Sequence, residues 1–323
     1  MEELTLKTEH LCAGFETEKG YVPAVDDVTL TIPKGKVVGV VGESGCGKSM
    51  IARSVMGLLK YPGRITGGSI QLCGQELAGL KDRQLQAIRG RDMAMIFQEP
   101  MTSLNPVITV GRQMREALLL HEKLSKSAAK AEVLRMMAAV GIPEPEKRYS
   151  TYPHQLSGGL RQRIMIAMAM ICKPKLLIAD EPTTALDVTI EAQILRLIRD
   201  LTSSTGMSVL LISHNLGIIA QMCDTVYVMY AGKIVEQADT LTLFERRAHP
   251  YTKGLMDSVI DFNNSPRRLP TIGGVVPNLL HLPVGCAFAP RCPYATGRCR
   301  TERPALRELA PGHLSRCFEG RTE

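Results

Sequence analysis

The residues from Gly42 to Ser49 have a composition that suits phosphate binding. The octapeptide GESGCGKS fits the pattern G-x-x-x-x-G-K-[ST], between an apolar run at Val37–Val41 and a stretch of helical character. Its glycines let successive backbone N–H groups curl around phosphate oxygens, and the helix start adds the positive end of its dipole. Lys48 is expected to reach the β- and γ-phosphates and the Ser49 hydroxyl to ligate Mg²⁺. The spacing therefore predicts a nucleoside triphosphate site.

Two neighbouring carboxylates, Asp180 and Glu181, end a second apolar run, LLIAD. Asp180 is placed to interact with Mg²⁺ directly or through its ligands, and Glu181 to orient or deprotonate an attacking water. A further helix start, Ser157–Gly159, precedes the apolar stretch IMIAMAMI and offers another anion-binding N-terminus. Together with the phosphate loop, these groups predict an enzyme that hydrolyses a nucleoside triphosphate.

In this order and spacing, the motifs resemble those of the ATP-binding subunit of an ABC transporter, from about Leu4 to the C-terminus. The resemblance implies an α/β fold with a RecA-like P-loop ATPase core, an antiparallel β layer, a helical subdomain and a C-terminal Cys-rich extension. It places the core and its β layer at residues 1–99 and 164–245, the helical signature subdomain at 100–163, and a metal-binding extension at 246–323.

The resemblance also implies a role for each matching residue. Glu181 matches the catalytic glutamate, Gln98 the glutamine that approaches the attacking water, and His214 the switch histidine. Mg²⁺ is expected on Ser49, Gln98 and Asp180. The residues expected to contact ATP are Phe15, Gly42, Glu43, Ser44, Gly45, Cys46, Gly47, Lys48, Ser49, Met50, Ser157, Gly158, Gly159, Gln162, Asp180 and Asp187.

A few positions depart from the family pattern. Asn215 follows His214 where Asp is common, which changes the local charge but keeps the histidine. Leu160 stands in the signature segment where Met or Gln is more usual. The aromatic ring expected to stack on adenine is Phe15, with Tyr21 as the alternative.

The resemblance implies partners, because the chain holds one phosphate loop and one signature segment. In the family, a signature segment closes over the ATP that a second cassette binds. We therefore expect a second ABC ATPase subunit in a heterodimer, two transmembrane permease subunits and an extracytoplasmic substrate-binding protein. The expected location is peripheral, on the cytoplasmic face of the inner or plasma membrane.

Several segments resemble the branch of the family that imports dipeptides, oligopeptides and nickel, among them FQEPMTSLNP, YPHQLSGG and AHPYTKGLMDSVI. Because the chain continues into the long tail of peptide-type subunits, we expect di- or oligopeptides as cargo. The alternative is nickel or another small solute. A soluble ABC ATPase that acts on nucleic acid is disfavoured, since the chain has neither two cassettes nor a sustained heptad pattern.

Four cysteines, Cys286, Cys292, Cys299 and Cys317, follow the spacing C-x5-C-x6-C-x17-C near the C-terminus. This spacing lacks the C-x2-C pairs common in structural zinc sites and differs from the ferredoxin runs, although four thiolates suit a cubane cluster. Zinc, an iron–sulfur cluster and free thiols therefore all remain open from spacing alone. The resemblance implies a [4Fe–4S] cluster, with Zn²⁺ as the alternative.

Composition indicates a globular protein, with 45% hydrophobic and 22% charged residues. The N-terminus MEELTLKTEH lacks the apolar run of a signal peptide, and no apolar stretch reaches the roughly 18 residues of a membrane-spanning helix. We therefore expect a cytosolic chain with reduced thiols, where clustered cysteines indicate a metal more than disulfides. The net charge of +7 lies mainly in the tail, which could face nucleic acid, anionic lipid or an acidic partner; the alternative is a solvated surface that partly offsets the charge of bound thiolates.

Overall fold

A computed structural model of the chain describes residues 3–98, 103–183, 187–258 and 272–320. The strands are β1 (Leu4–Thr17), β2 (Gly20–Pro33), β3 (Val37–Val41), β4 (Gly63–Leu72), β5 (Gln75–Glu76), β6 (Met93–Ile96), β7 (Leu176–Asp180), β8 (Ser208–Ser213), β9 (Thr225–Tyr230), β10 (Lys233–Asp239), β11 (Arg307–Ala310) and β12 (His313–Ser315). The helices are α1 (Lys48–Val55), α2 (Asp82–Ile88), α3 (Val110–His121), α4 (Lys126–Ala139), α5 (Pro145–Tyr149), α6 (Gly158–Met170), α7 (Val188–Thr205), α8 (Leu216–Met222), α9 (Thr240–Glu245), α10 (Pro250–Asp257) and α11 (Gly297–Thr301).

The chain folds into two compact units. The first unit comprises Met1–Thr5, Pro33–Gly35 and Gly79–Leu210, and the second comprises Leu6–Ile32, Lys36–Ala78 and Leu211–Glu323. These bounds differ from the three regions predicted above, whose division stays a prediction.

The second unit contains two sheets. One has the strand order β2-β1-β4-β5, and its pairs β1–β4 and β4–β5 are antiparallel, as expected for the predicted β layer. The other runs β11-β12-β10-β9-β3, with β3 parallel to β9 and the remaining pairs antiparallel. Strand β3, VVGVV, is almost wholly buried, which explains its continuous apolar sequence without alternation.

The first unit combines parallel strands with a helical cluster. Strands β6 and β7 pair in parallel, and the beginning of β8 lies beside β7. Helices α3, α4 and α5 pack against one another, and α6 packs against α3, α4 and β6. Their shared core is made of buried apolar side chains such as Met114, Val133, Met137 and Ile164. Within the part of the chain that the structure describes, no helix is both long enough and apolar enough to cross a membrane.

Candidate active site

The predicted phosphate loop connects β3 to α1 in the second unit. At Gly47 the backbone φ is 110°, and a Cβ atom there would lie 2.1 Å from the carbonyl oxygen of Ala24. At Gly42, φ is 155° and a Cβ atom would lie 2.2 Å from the carbonyl oxygen of Met229. Neither space admits a side chain, so these glycines are required by the packing of the loop as well as by its conformation.

Lys48 begins α1 and turns back into the loop that precedes it. Its buried ammonium group donates to the carbonyl oxygens of Gly42, at 2.8 Å, and Glu43, at 3.0 Å. The loop thus encloses a positive charge directly at a helix N-terminus, where the helix dipole also favours anions. This combination fits the binding of phosphate groups.

Two residues that were not predicted from the sequence contact the same loop. The Tyr251 hydroxyl accepts a 2.8 Å hydrogen bond from the backbone N–H of Glu43. The guanidinium of Arg291 donates to both carboxylate oxygens of Glu43, at 2.7 and 2.9 Å. The only sequence signal for either contact was the AHPYTKG segment, which indicated a family branch but no partner for Tyr251.

In the first unit, the predicted catalytic carboxylate follows β7. Asp180 ends this strand and is buried, whereas Glu181 is partly accessible and has a φ of 48°. A non-glycine residue seldom takes this left-handed conformation, and such strain clusters at functional sites. The Gln98 amide donates to Glu181 Oε2 at 2.9 Å. The structure therefore brings Gln98 and Glu181 together, and their action on one water stays a prediction.

The signature segment opens α6 in the same unit. Ser157 is the N-cap of this helix and accepts from the backbone N–H of Leu160 at 3.4 Å. Gln162 is buried and donates to the carbonyl oxygen of Pro182, two residues after Asp180. Asp187 caps α7 by accepting from the N–H of Ile190 at 2.9 Å. The Gly158–Gly159 pair forms the first turn of α6.

The remaining predicted residues lie in the second unit. His214 is exposed just after β8, and Asn215 caps α8 by accepting from the N–H of Gly217 at 2.9 Å. Because Asn and Asp cap helices equally well, the departure from the family pattern keeps this local structure. Phe15 pairs with Gly63 across β1 and β4, whereas the Tyr21 hydroxyl hydrogen-bonds the Thr66 hydroxyl at 3.0 Å.

The two units thus hold separate parts of the predicted site. The phosphate loop from Gly42 to Met50, the aromatic Phe15 and His214 belong to the second unit. Gln98, the carboxylates at 180 and 181, and the signature residues belong to the first. A joint Mg²⁺ site with ligands from Ser49, Gln98 and Asp180 stays a prediction.

The four C-terminal cysteines line one small cavity of about 20 Å³ in the second unit. The N–H of Cys286 donates to the carbonyl oxygen of Cys299 at 2.8 Å, and the Thr296 hydroxyl lies 3.3 Å from the Cys299 sulfur. Burial raises the pKa of the Cys292 thiol to about 11, and the other three thiols add to this shift. Burial likewise raises the pKa values of Cys286 and Cys317.

These four thiols form a candidate donor set for a metal. Four thiols on one cavity fit zinc or an iron–sulfur cluster in type and number. Across the described ranges, however, no group of three or more His, Cys, Asp or Glu side chains is disposed to hold a metal ion. The structure therefore gathers the predicted ligands around one cavity but does not establish a metal site.

Comparison with protein families gives two matches. Residues 25–184 match the model described as "ABC transporter", and residues 235–299 match "Oligopeptide/dipeptide transporter, C-terminal region". The second region includes the HPYT segment and three of the four clustered cysteines.

Several curated proteins are similar over nearly their full length. A probable peptide ABC transporter ATP-binding protein of Sinorhizobium fredii is 50% identical over 98% of this chain and 95% of its own. The dipeptide transport ATP-binding protein DppD of Escherichia coli is 46% identical over 97% of this chain and 95% of its own. The oligopeptide transport ATP-binding protein OppD of Salmonella typhimurium is 48% identical over 97% of this chain and 93% of its own.

Solved structures agree on the fold. A dimeric ATP-binding cassette bound to ADP and phosphate has a TM-score of 0.66 at 24% identity and covers 73% of this chain and 98% of its own. The cbiO1 protein of Clostridium perfringens has a TM-score of 0.64 at 25% identity and covers 75% of this chain and 91% of its own. These likenesses confirm the predicted α/β fold class.

Proposed function

The chain belongs to the family of ABC transporter ATP-binding subunits with an oligopeptide/dipeptide C-terminal region, and from this premise we propose that it powers the import of di- or oligopeptides. As a member of this family, the chain is an ATPase. Peptides are proposed as the cargo because the chain is 46–50% identical to peptide-transport subunits over 97–98% of its length. This similarity extends beyond the shared ATPase core into the C-terminal region.

The second unit supplies the groups that bind ATP. Lys48 and the backbone N–H groups of Gly42–Met50 hold the phosphates, since both offer positive charge at the start of a helix. Phe15 stacks on the adenine ring. His214 contacts the γ-phosphate end of the nucleotide and responds to its loss. Mg²⁺ neutralises charge on the phosphates when it is bound, and Ser49 is its ligand from this unit.

The first unit supplies the groups that act on water. Glu181 orients or deprotonates the attacking water, and Gln98 fixes the Glu181 carboxylate through the 2.9 Å hydrogen bond to its Oε2. Asp180 and Gln98 complete the proposed Mg²⁺ ligands. Ser157, Gly158, Gly159, Gln162 and Asp187 serve the nucleotide that a partner cassette binds.

The proposed assembly follows from the single set of motifs in this chain. A second ABC ATPase subunit, in a heterodimer, supplies the other signature segment. ATP favours the closed pair because only that state places both sets of donors on the phosphates, and hydrolysis removes this preference. Two permease subunits form the path across the membrane, and an extracytoplasmic binding protein delivers the cargo. The chain then lies peripherally on the cytoplasmic face of the membrane.

Peptide uptake by the reconstituted transporter tests this function. Proteoliposomes would contain both ATPase subunits and both permeases, with ATP inside and binding protein carrying a radiolabelled dipeptide outside. We expect uptake that requires ATP and that falls sharply with Glu181→Gln but not with Glu302→Gln, which removes an exposed carboxylate. Transport of Ni²⁺ in place of peptide, or uptake indifferent to Glu181→Gln, contradicts the proposal.

We also propose that Cys286, Cys292, Cys299 and Cys317 hold a [4Fe–4S] cluster, which would tie the extension together without taking part in hydrolysis. Support comes from the four thiols on one cavity. Iron and acid-labile sulfide would be measured in anaerobically purified protein, and we expect about four of each per chain. Both should be lost in Cys292→Ser and kept in Cys73→Ser, which alters an exposed cysteine elsewhere. Zinc without sulfide, or no bound metal, refutes the cluster.

A further inference from the structure

Glu43, at a variable position of the phosphate loop, forms hydrogen bonds through its backbone N–H, its carbonyl oxygen and its carboxylate. Its backbone N–H donates to the Tyr251 hydroxyl at 2.8 Å, and its carboxylate accepts two hydrogen bonds from Arg291. Its carbonyl oxygen in turn accepts from the ammonium group of Lys48 at 3.0 Å. A continuous chain of contacts therefore runs from Arg291 through Glu43 to the lysine that serves the phosphates.

The Arg291 side chain is held more firmly than a surface ion pair requires. It is only 4% exposed, and its Nε donates to the carbonyl oxygen of Gly273 at 2.8 Å. The guanidinium also lies 5.9 Å from the ring centroids of Tyr230 and Phe288. Two-pronged arginine–carboxylate pairs fix direction as well as distance. Arg291 therefore determines where the Glu43 carboxylate stands.

The HPYT segment provides the second support of the loop. His249 caps α10 by accepting from the N–H of Tyr251 at 3.0 Å, and Pro250 occupies the first helical position. The Tyr251 ring packs against Tyr230 and Phe288, with centroids 4.6 and 5.4 Å apart. The capped helix and the ring cluster together direct the Tyr251 hydroxyl at the phosphate loop.

The same short segment carries both Arg291 and two of the clustered cysteines. The N–H of Ala289 donates to the carbonyl oxygen of Cys286 at 3.0 Å, and the N–H of Arg291 to that of Phe288 at 2.9 Å. Cys292 follows Arg291 directly and donates to Ala289 at 3.4 Å. A displacement of Cys292 must therefore move the backbone that anchors the guanidinium.

We propose that Arg291 is a positioning residue for ATP binding, and that through it the segment that carries Cys286 and Cys292 affects the affinity of the phosphate loop for ATP. This inference rests on the proposed function only in that the loop binds ATP. The Arg291–Glu43 pair is the coupling element between this segment and the phosphate loop. Energetic coupling between linked sites typically amounts to a change in affinity of about 5- to 150-fold.

Calorimetric titration of the full chain with ATP tests the role of Arg291, because it separates affinity from the number of working sites. Arg291→Met should weaken ATP binding about tenfold at unchanged stoichiometry, within the range for linked sites. Arg291→Lys should recover part of the loss, since it keeps the charge but not the two-pronged geometry. Arg298→Met is the matched control, because Arg298 also adjoins a clustered cysteine but pairs with the exposed Glu302.

The outcomes separate this inference from the proposed function. An unchanged affinity in Arg291→Met, or fewer sites of normal affinity, refutes a positioning role. Failure of the unaltered chain to bind ATP refutes the proposed function instead.

A double-substitution cycle tests the link to the cysteines. Cys292→Ser should weaken ATP binding in the same direction as Arg291→Met, whereas Cys73→Ser should not. Combined with Arg291→Met, Cys292→Ser should cause no further loss, because the coupling element is already absent. Independent, multiplying losses, or no effect of Cys292→Ser alone, refute the coupling.

Discussion

The histidine that caps α10 should make the stability of the second unit depend on pH. His249 is 2% exposed, its ring Nδ1 accepts from the backbone N–H of Tyr251, and its backbone N–H donates to the buried carboxylate of Glu236. Burial, with a smaller contribution from the charge of Arg316, lowers the pKa of the imidazole from 6.5 to about 3. Protonation of Nδ1 would remove the acceptor on which the helix cap depends.

The size and sign of the effect follow from this shift. The pKa of His249 is lower in the folded chain than in the unfolded chain. Between about pH 3 and pH 6.5 the folded chain therefore binds fewer protons than the unfolded chain. The stabilisation is complete above pH 6.5 and is lost as the pH falls. At about 1.4 kcal/mol per pH unit, acidification from pH 6.5 to pH 5 should cost roughly 2 kcal/mol of unfolding free energy through this one group.

Urea unfolding followed by tyrosine fluorescence measures this loss, since the chain has no tryptophan and Tyr251, which donates its N–H to His249, packs against Tyr230. His249→Asn should reduce the loss between pH 6.5 and 5 by about 2 kcal/mol, because Asn caps helices but does not titrate. His281→Asn, at an exposed position of the same extension, should leave the loss unchanged. Equal pH dependence in His249→Asn and the unaltered chain would refute the reasoning.

Three further substitutions have defined outcomes. Gly47→Ala should abolish ATP binding in calorimetry, because the new methyl group would lie 2.1 Å from the Ala24 carbonyl oxygen; normal affinity would contradict the loop packing. Glu236→Ala should lower the unfolding free energy by about 3–5 kcal/mol in urea, since it leaves the N–H groups of Ala248 and His249 and the ring of His313 without their buried acceptor; a loss below about 1 kcal/mol would show that water replaces it. Glu181→Gln should keep the ATP dissociation constant while slowing turnover about 10²- to 10⁴-fold in a phosphate-release assay; a parallel loss of binding would show a structural role.

The sequence predicted the parts of the site that depend on local backbone geometry. Gly42 and Gly47 stand where the backbone needs positive φ and where no Cβ fits, so their spacing alone indicates the loop. The buried strands β3 and β7 likewise appear as uninterrupted apolar runs, because both of their faces are covered. The fold class and the residues adjoining these strands follow from such short-range patterns.

Contacts between distant segments could not be predicted in this way. Arg291 lies 248 residues from Glu43, and Tyr251 lies 208 residues from the same residue. Ion pairs and single hydrogen bonds have no periodicity or spacing in the sequence, so only the folded arrangement reveals them. The four C-terminal cysteines could be predicted in part. Their proximity follows from the sequence, and they line one cavity, but their spacing does not specify which ligand they hold.

The central claim, that ATP hydrolysis at Glu181 drives peptide import, is tested most directly by ATP turnover in the reconstituted transporter. Phosphate release would be measured with empty binding protein and with binding protein loaded with dipeptide. We predict that peptide-loaded binding protein stimulates turnover, and that Glu181→Gln abolishes the stimulation while ATP binding persists. Turnover that is indifferent to the loaded binding protein, or stimulation that survives Glu181→Gln, would contradict it.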